Sequence, residues 1–144
     1  MIRSLRGLAL ALVLTALGGG TARALEIQAT LIHASNRRVA QDARLDFVEY
    51  RLRRIFPFEA YAFMGQTGVT FPGHEGEATL NLGHGMTAHI RTRGRGGRIA
   101  AHVRWMRGSQ MLLGTEVVTD RRTPSVLGGV PHDDGTLILV LVFR

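Results

Sequence analysis

Histidine and glutamate side chains recur at spacings that would bring them together across three neighbouring strands. If Gly94–Gly97 forms a hairpin turn, His89 lies directly opposite His102. A second turn at residues 108–110 then places Glu116 on the far side of His102. Directly opposed side chains have Cβ atoms about 5 Å apart, so two imidazoles and a carboxylate are able to share a ligand. Two histidines and one carboxylate suit a divalent transition metal with open coordination positions.

The same face of this hairpin carries four arginines, which favour a different ligand. Guanidinium groups disfavour a nearby cation, and their fork of N–H donors matches phosphate and carboxylate groups. A solvated polar face, whose histidines and glutamate only hydrogen-bond one another, is the third interpretation. The pattern favours the solvated face and leaves both ligand-binding interpretations open. The predicted anion-binding residues are Arg91, Arg93, Arg98 and Arg104 together with His89 and His102.

Alternation along the hairpin predicts which of its faces is buried. A register shift of one residue would mix apolar and charged side chains, so the pattern itself supports one pairing. The predicted pairs in the hairpin are Arg93 with Arg98, Thr92 with Ile99, Ile90 with Ala101, Ala88 with Val103, and Met86 with Trp105. Across the next connection the predicted pairs are Trp105 with Leu113, Val103 with Thr115, and His102 with Glu116.

One helix is predicted ahead of these strands, over residues 42–56. Its apolar residues are spaced by three, four and three positions, which gives a single helical face. Acidic residues lie early in the segment and arginines late, as the helix dipole favours. Pro57 ends the segment, because the residue before proline is pushed out of the helical region. The predicted buried face consists of Leu45, Val48, Leu52 and Ile55.

A period of two residues predicts strands through most of the remaining sequence. The last of them, Thr136–Phe143, is apolar on both faces, which is typical of a central or covered strand. The fold class is therefore α+β: one amphipathic helix packed on a mainly antiparallel sheet or small sandwich, in a single domain of residues 25–144. The predicted strands are Glu26–Ile32, Ala60–Met64, Gly68–Phe71, Ala78–Leu82, Met86–Arg93, Arg98–Met106, Met111–Thr119, Ser125–Leu127 and Thr136–Phe143.

Residues 1–24 have the three parts of a secretory signal peptide. Two arginines precede the apolar run Leu8–Leu17, and Ala22-Arg23-Ala24 supplies the small-residue pattern that signal peptidase recognises. The apolar run is well short of the ~20 residues that a membrane-spanning helix needs. We therefore expect cleavage before Leu25, a periplasmic or secreted product, and no transmembrane span after cleavage.

Composition excludes several functional classes. The sequence has no cysteine, which excludes disulfide scaffolds, zinc ribbons, iron–sulfur clusters and thiol catalysis. All 18 basic residues are arginine, and the net charge is +7. Removal of the signal peptide with its three arginines would leave fifteen arginines and eleven acidic residues, a net charge of +4. No nucleic-acid partner is expected.

Residues 117–130 resemble a structural element of the bacterial secretins. In that family a valine-rich strand, a short polar turn and a hydrophobic strand ending in Gly-Gly recur in the outer-membrane pore domain. Here Val117-Val118-Thr119 and Ser125-Val126-Leu127-Gly128-Gly129 flank the turn, in which Arg121-Arg122 replaces the usual glycine. The proline-rich lip of the secretins is missing, so the resemblance implies an exported domain of an envelope assembly rather than a pore, and it transfers no functional residue.

The familiar catalytic motifs are missing from the sequence. It has no Gly-x-Ser-x-Gly elbow, no phosphate-binding loop and no His-Glu-x-x-His. The preferred prediction is an exported, non-catalytic binding module whose partner is an envelope protein or an anionic envelope component. The alternative is an accessory subunit of a secretion or pilus-like assembly, and the third is a metal-dependent enzyme that uses the row of His89, His102 and Glu116. No cofactor is expected unless that row binds a transition metal.

Overall fold

The computed structural model describes residues 24–144, so the predicted signal peptide lies outside the described residues except for Ala24. Eight strands account for most of this part of the chain, with one short helical segment between the first two. The helical segment consists of a 3-10 turn at Ala43–Leu45 and helix α1 at Glu49–Ile55. The strands are β1 (Leu25–Ser35), β2 (Ala60–Phe71), β3 (Gly76–Gly83), β4 (Met86–Arg95), β5 (Arg98–Arg107), β6 (Gln110–Thr119), β7 (Ser125–His132) and β8 (Gly135–Phe143).

The strands form two four-stranded sheets. The first sheet has the order β2-β1-β8-β7 and the second the order β3-β4-β5-β6, and every pairing is antiparallel. The mainly antiparallel architecture with one helical segment agrees with the predicted class, and the sandwich form of that prediction fits the two sheets. Within residues 24–144, no helix combines the length and the apolar character that crossing a bilayer requires.

Strand β8 contributes to two apolar layers, one on each face of the first sheet. It lies between β1 and β7, and successive side chains point to opposite faces. One set faces the second sheet and the other faces the helical segment, which confirms the prediction of a covered strand. The first set is Leu137, Leu139, Leu141 and Phe143, and the second is Ile138, Val140 and Val142.

The main core lies between the two sheets. Trp105 on β5 is its largest fully buried side chain, and it packs in one cluster with residues of β1, β3, β4 and β8. The hairpin and β8 residues that the sequence predicts to be buried all lie in this core, which confirms the predicted faces. They are Ala88, Ile90, Val103, Trp105, Leu139 and Leu141, each no more than 1% exposed.

The α-helix is shorter than predicted: it spans Glu49–Ile55 instead of residues 42–56. Asp42 caps a separate 3-10 turn, where its Oδ1 accepts a hydrogen bond of 3.0 Å from the backbone N–H of Arg44. The side-chain cap and the tighter turn interrupt the α-helical hydrogen bonds before α1 begins. The hydrogen-bonded guanidinium of Arg44 also lowers the pKa of Asp42 to about 2.

Three of the four residues on the predicted helical face are buried. Leu45, Val48 and Leu52 pack on the first sheet and are at most 1% exposed. Ile55 is 58% exposed, so its predicted burial is wrong. The helix ends at Ile55, and Phe56 adopts an extended backbone with φ −114° and ψ 141°, which places the Phe56 ring against the cluster instead.

Tyr61 ties the end of α1 to strand β2. Its hydroxyl lies 3.1 Å from the Leu52 carbonyl and 3.2 Å from the Phe56 carbonyl, and it donates to this pair of acceptors. Burial raises the pKa of the Tyr61 hydroxyl. The helical segment is thus fixed over the first sheet, which leaves the outer face of the second sheet uncovered by any described helix.

Candidate functional site

The β4–β5 hairpin turns at Gly96-Gly97, a loop of two residues rather than the predicted four. Both glycines have positive φ, 57° and 83°, as a two-residue hairpin turn that follows the sheet twist requires. Arg95 therefore pairs with Arg98, and the predicted pairing of Arg93 with Arg98 is wrong. The sequence Gly94–Gly97 offers glycines for either turn, so composition alone did not separate the two registers.

The shorter turn moves every predicted pair between β4 and β5 by two residues. Because the side-chain period of a strand is two, the shift keeps each residue on its predicted face while changing its neighbour. On the charged face, Arg91 lies opposite His102 and His89 lies opposite Arg104. On the buried face the observed pairs are Thr92 with Ala101, Ile90 with Val103, Ala88 with Trp105, and Met86 with Arg107 at the end of the strand.

The predicted register between β5 and β6 is confirmed. The observed pairs are Trp105 with Leu113, Val103 with Thr115, and His102 with Glu116.

A row of two basic side chains flanked by two acids crosses all four strands of the second sheet. Glu77 on β3 lies opposite Arg91, which lies opposite His102, which in turn lies opposite Glu116 on β6. The Arg91 Nη2 atom is 3.5 Å from Glu77 Oε2, and His102 Nε2 is 3.4 Å from Glu116 Oε2. Each of the two inner basic residues therefore has a carboxylate on its outer side.

Of the predicted metal ligands, His102 and Glu116 are neighbours, but His89 is not brought to them. Arg91 occupies the position beside His102 that the predicted register gave to His89. The Nδ1 atom of His89 instead lies 2.8 Å from the Thr79 hydroxyl oxygen on β3. Among residues 24–144, no three histidine, aspartate or glutamate side chains form a group suited to hold a metal ion.

Glu116 is the most connected acid on this face. Its Oε1 atom is 3.4 Å from Arg93 Nη2 and 3.7 Å from Arg95 Nη1, while its Oε2 atom faces His102. Arg93 and Glu116 lie on strands separated by β5 and pair on a diagonal, because Arg93 lies opposite Ala100 whereas Glu116 lies opposite His102. The small Ala100 side chain, 2% exposed, leaves room for the long Arg93 side chain to cross β5.

The remaining predicted anion-binding residues differ in their partners. The Arg98 Nε atom donates to Asp120 Oδ1 at 3.1 Å. Arg104 is exposed and forms no ion pair with any acid of the described chain from residue 24 onward. The structure therefore places all six predicted residues on one side of the second sheet, and three of the four arginines are matched with carboxylates. We name this surface, with its acids, the charged sheet face: His89, Arg91, Arg93, Arg95, Arg98, His102, Arg104, Glu77, Glu116 and Asp120.

Two shallow concavities lie on the charged sheet face. The larger, of about 660 Å³, is lined by residues that include Glu77, Arg91 and Arg93. The smaller, of about 330 Å³, includes His89 and Arg104 in its lining. Both concavities are also lined by Arg91 and His102, so they adjoin at the two basic residues of this row. The face offers charged hydrogen-bond donors beside open space.

Sequence reasoning missed three members of this face, Glu77, Arg95 and Asp120. Glu77 lies on β3, and the alternation of Glu77, Thr79 and Asn81 would have assigned it to the same side once β3 was paired with β4. Arg95 was assigned to the turn, although it is the last residue of β4. The omissions follow from the predicted strand boundaries, since Glu77 lies one residue before Ala78–Leu82 and Asp120 one residue after Met111–Thr119.

The segment that resembles the secretins spans the end of β6, a turn, and the start of β7. Strands β6 and β7 belong to different sheets and do not pair with each other, so the turn at residues 120–124 connects the two layers. Strand β7 carries a bulge between Gly128 and Val130, where Gly129 adopts a φ of 98°.

No known protein family matches the sequence, and neither curated proteins nor solved structures showed a significant similarity to the chain.

Proposed function

We propose that this protein is an exported, non-catalytic interaction module that binds an anionic group of an envelope component through the charged sheet face. The observation that carries the proposal is the exposed array of guanidinium groups beside the two adjoining concavities. Arginine presents a rigid fork of donors that fits carboxylate and phosphate groups, which makes such an array suitable for anion recognition.

The charge balance of the face supports an anionic partner. Its five arginines exceed its three acids by two charges, with the histidines neutral. Arg104 supplies a cation without an acidic partner in the described chain, next to His89 and the smaller concavity. An approaching anion would meet this guanidinium before it had to compete with any internal carboxylate.

The internal ion pairs on the face would yield to a ligand at low cost. The side chains of Arg91 and Glu77 are 71% and 65% exposed, and their charged atoms are 3.5 Å apart. Exposed pairs of this kind contribute about 0–1 kcal/mol, because water and salt screen them. A ligand carboxylate that replaces Glu77 on Arg91 therefore gives up little stabilisation and adds bonds to Arg104.

Binding of a soluble acidic polymer tests the proposal. Polygalacturonate, a carboxylated polysaccharide, is added to the purified protein expressed from its full-length sequence, and binding is followed by calorimetry. Arg91→Gln combined with Arg104→Gln should abolish binding while the circular dichroism spectrum stays unchanged, since both side chains are exposed. Binding by the parent should also weaken as salt rises.

A double variant on the opposite side of the molecule controls for net charge. Arg38→Gln combined with Arg51→Gln removes the same two charges from exposed positions near the helical segment. This control should bind polygalacturonate like the parent. If both double variants lose binding equally, the protein attracts polyanions through its overall charge and the charged sheet face is not a specific site.

An accessory role in a larger envelope assembly is the second candidate. The unpaired edges of β6 and β7 flank a concavity of about 330 Å³, lined by residues that include Leu112, Leu113 and Pro131. Open strand edges are able to pair with an added strand of another chain. Native electrophoresis of envelope extracts distinguishes the candidates, because an assembly subunit migrates with a large complex and a solitary binding module migrates at its own mass.

A further inference from the structure

Three arginines surround the point where the chain enters strand β1. Arg121 and Arg122 come from the turn between β6 and β7, and Arg144 follows β8. Together with Ala24 they line a concavity of about 440 Å³. We call this group of Arg121, Arg122 and Arg144 the arginine pocket, and it is separate from the charged sheet face.

The positive charge of the arginine pocket is not neutralised within the described chain. None of its three guanidinium groups lies within ion-pair distance of an acid among residues 24–144. Asp120, the acid next to the pocket in sequence, is instead bonded to Arg98. The pocket thus differs from the charged sheet face, where most arginines have a carboxylate partner.

Backbone hydrogen bonds hold the pocket residues in place. The N–H of Arg122 donates to the Phe143 carbonyl at 2.6 Å, and Arg144 exchanges two bonds of 2.8 Å with Glu26. Arg122 has a φ of 68°, the left-handed region that a side chain such as arginine rarely adopts. The tertiary contacts of the turn therefore fix Arg122 in a conformation that its own preferences disfavour.

Arg121 is already engaged as a hydrogen-bond donor to neutral groups. Its Nη1 atom donates to the Ala24 carbonyl at 3.2 Å, and its Nη2 atom lies 3.2 Å from His74 Nδ1. These contacts orient the guanidinium without cancelling its charge. Cleavage before Leu25, as the sequence predicts, would remove the Ala24 acceptor and leave the positive α-amino group of Leu25 beside the pocket.

We propose that the arginine pocket is a second binding site, specific for a phosphate group. Three guanidinium groups supply more N–H donors than one carboxylate can accept, whereas the oxygens of a phosphate accept several charge-assisted bonds at once. Phosphate groups of this chemistry occur both in soluble phosphate and in the headgroups of anionic lipids. The site uses none of the residues of the charged sheet face, so it stands independently of the proposed function.

Two phosphate probes test the pocket and separate its possible sources. The protein expressed from its full-length sequence is titrated with inorganic phosphate, and it is sedimented with phosphatidylglycerol vesicles and with phosphatidylcholine vesicles as the uncharged comparison. Binding of phosphate alone identifies a soluble ligand, and binding of the phosphatidylglycerol vesicles identifies a lipid surface. Either result supports the proposal when it depends on the pocket arginines.

The dependence is measured with Arg121→Gln combined with Arg122→Asn. Asparagine tolerates a positive φ, so this variant removes two charges without adding backbone strain. We expect the affinity for phosphate to fall by about tenfold or more, because the variant removes two of the three guanidinium groups that would donate charge-assisted bonds to the phosphate oxygens. The Arg38→Gln and Arg51→Gln double variant has the same charge change at exposed positions outside both proposed sites and should bind phosphate like the parent.

Two results would overturn the proposal. One is the absence of binding to both probes by a parent protein whose circular dichroism spectrum shows the folded sheet. The other is equal loss of binding in the pocket variant and in the Arg38→Gln and Arg51→Gln variant, which would indicate attraction to net charge alone. If the pocket variant does not fold, Arg144→Gln, which changes an exposed side chain after the last strand, gives the same comparison.

Discussion

Glu116 and Arg93 form an ion pair across an intervening strand, with a distance of 3.4 Å between Glu116 Oε1 and Arg93 Nη2. Strand β5 passes between them, and its buried Ala100 lies opposite Arg93 while its His102 lies opposite Glu116. A residue larger than Ala100 would obstruct the path of the Arg93 side chain across β5. The pair draws one carboxylate into the centre of an arginine-rich surface and thereby limits how much positive charge the surface presents.

Replacing Glu116 should strengthen anion binding by the charged sheet face. Glu116→Gln removes the carboxylate that faces Arg93, Arg95 and His102, and so it leaves these groups available to a ligand. The free energy of unfolding should fall by no more than about 1 kcal/mol, because the ion pairs are exposed. Calorimetry with polygalacturonate measures the affinity, and an affinity unchanged or lower than that of the parent would contradict the prediction.

Truncation of Leu139 should destabilise the protein strongly. Leu139 is fully buried on central strand β8, where it packs between the two sheets. Leu139→Ala removes three heavy atoms from this core and should cost roughly 2–5 kcal/mol in the free energy of unfolding. Met111→Ala is the matched control, because Met111 is 57% exposed and its loss should change stability by about 0.5 kcal/mol at most. Equal denaturation midpoints for the two variants would exclude a central role for β8.

Gly135 should not tolerate any side chain. A Cβ atom at this position would lie 1.9 Å from the carbonyl oxygen of Ala34 on the neighbouring strand β1, so the backbone would have to move. We expect Gly135→Ala to cost about 1–3 kcal/mol or more, as overpacking does elsewhere. In Gly94→Ala the nearest atom is His74 Cβ at 3.7 Å, an ordinary contact. Thermal unfolding should therefore separate the two glycine variants clearly.

Asp42 should titrate in acid well below an ordinary aspartate, because Arg44 holds its carboxylate ionised. Its pKa is about 2, against 3.8 in the absence of these contacts. A lowered pKa means that its contribution to stability is present above pH 3.8 and is lost as the pH falls through 2. Carboxyl resonances followed by NMR should return towards a pKa of 3.8 in Arg44→Gln, and an unchanged titration would show that another group lowers the pKa.

Local alternation in the sequence is enough to predict the faces of the strands. The sides taken by Ile90, Val103 and Trp105 follow from a period of two residues, which survives an error of two in the register. The two apolar faces of β8 likewise predict that it is covered on both sides. Which strand residues are buried and which are exposed can thus be predicted from the local sequence, because successive side chains along a strand point to opposite faces of the sheet.

Tertiary structure decides which charged side chains become neighbours. The choice of Gly96-Gly97 as the turn places Arg91 rather than His89 beside His102, and this choice depends on the twist and packing of the whole hairpin. The tertiary structure likewise divides the predicted helix over residues 42–56. The Asp42 cap and a 3-10 turn precede α1, and this arrangement also buries Leu45 against the sheet. The spacing of apolar residues does not distinguish the two hairpin turns, or a continuous helix from a 3-10 turn followed by α1. In each case both alternatives place the same apolar residues on the same face.

The arginine pocket depends entirely on the tertiary fold. Ala24, Arg121 and Arg144 are separated by most of the chain, and they meet because β1 and β8 pair while the turn after β6 crosses between the sheets. The sequence by itself determined the apolar faces, the helical segment and the arginine-rich composition, since these depend on the order of neighbouring residues. Only the tertiary structure decided which arginines have carboxylate partners and which do not, because ion pairing depends on distances between residues that are remote in sequence.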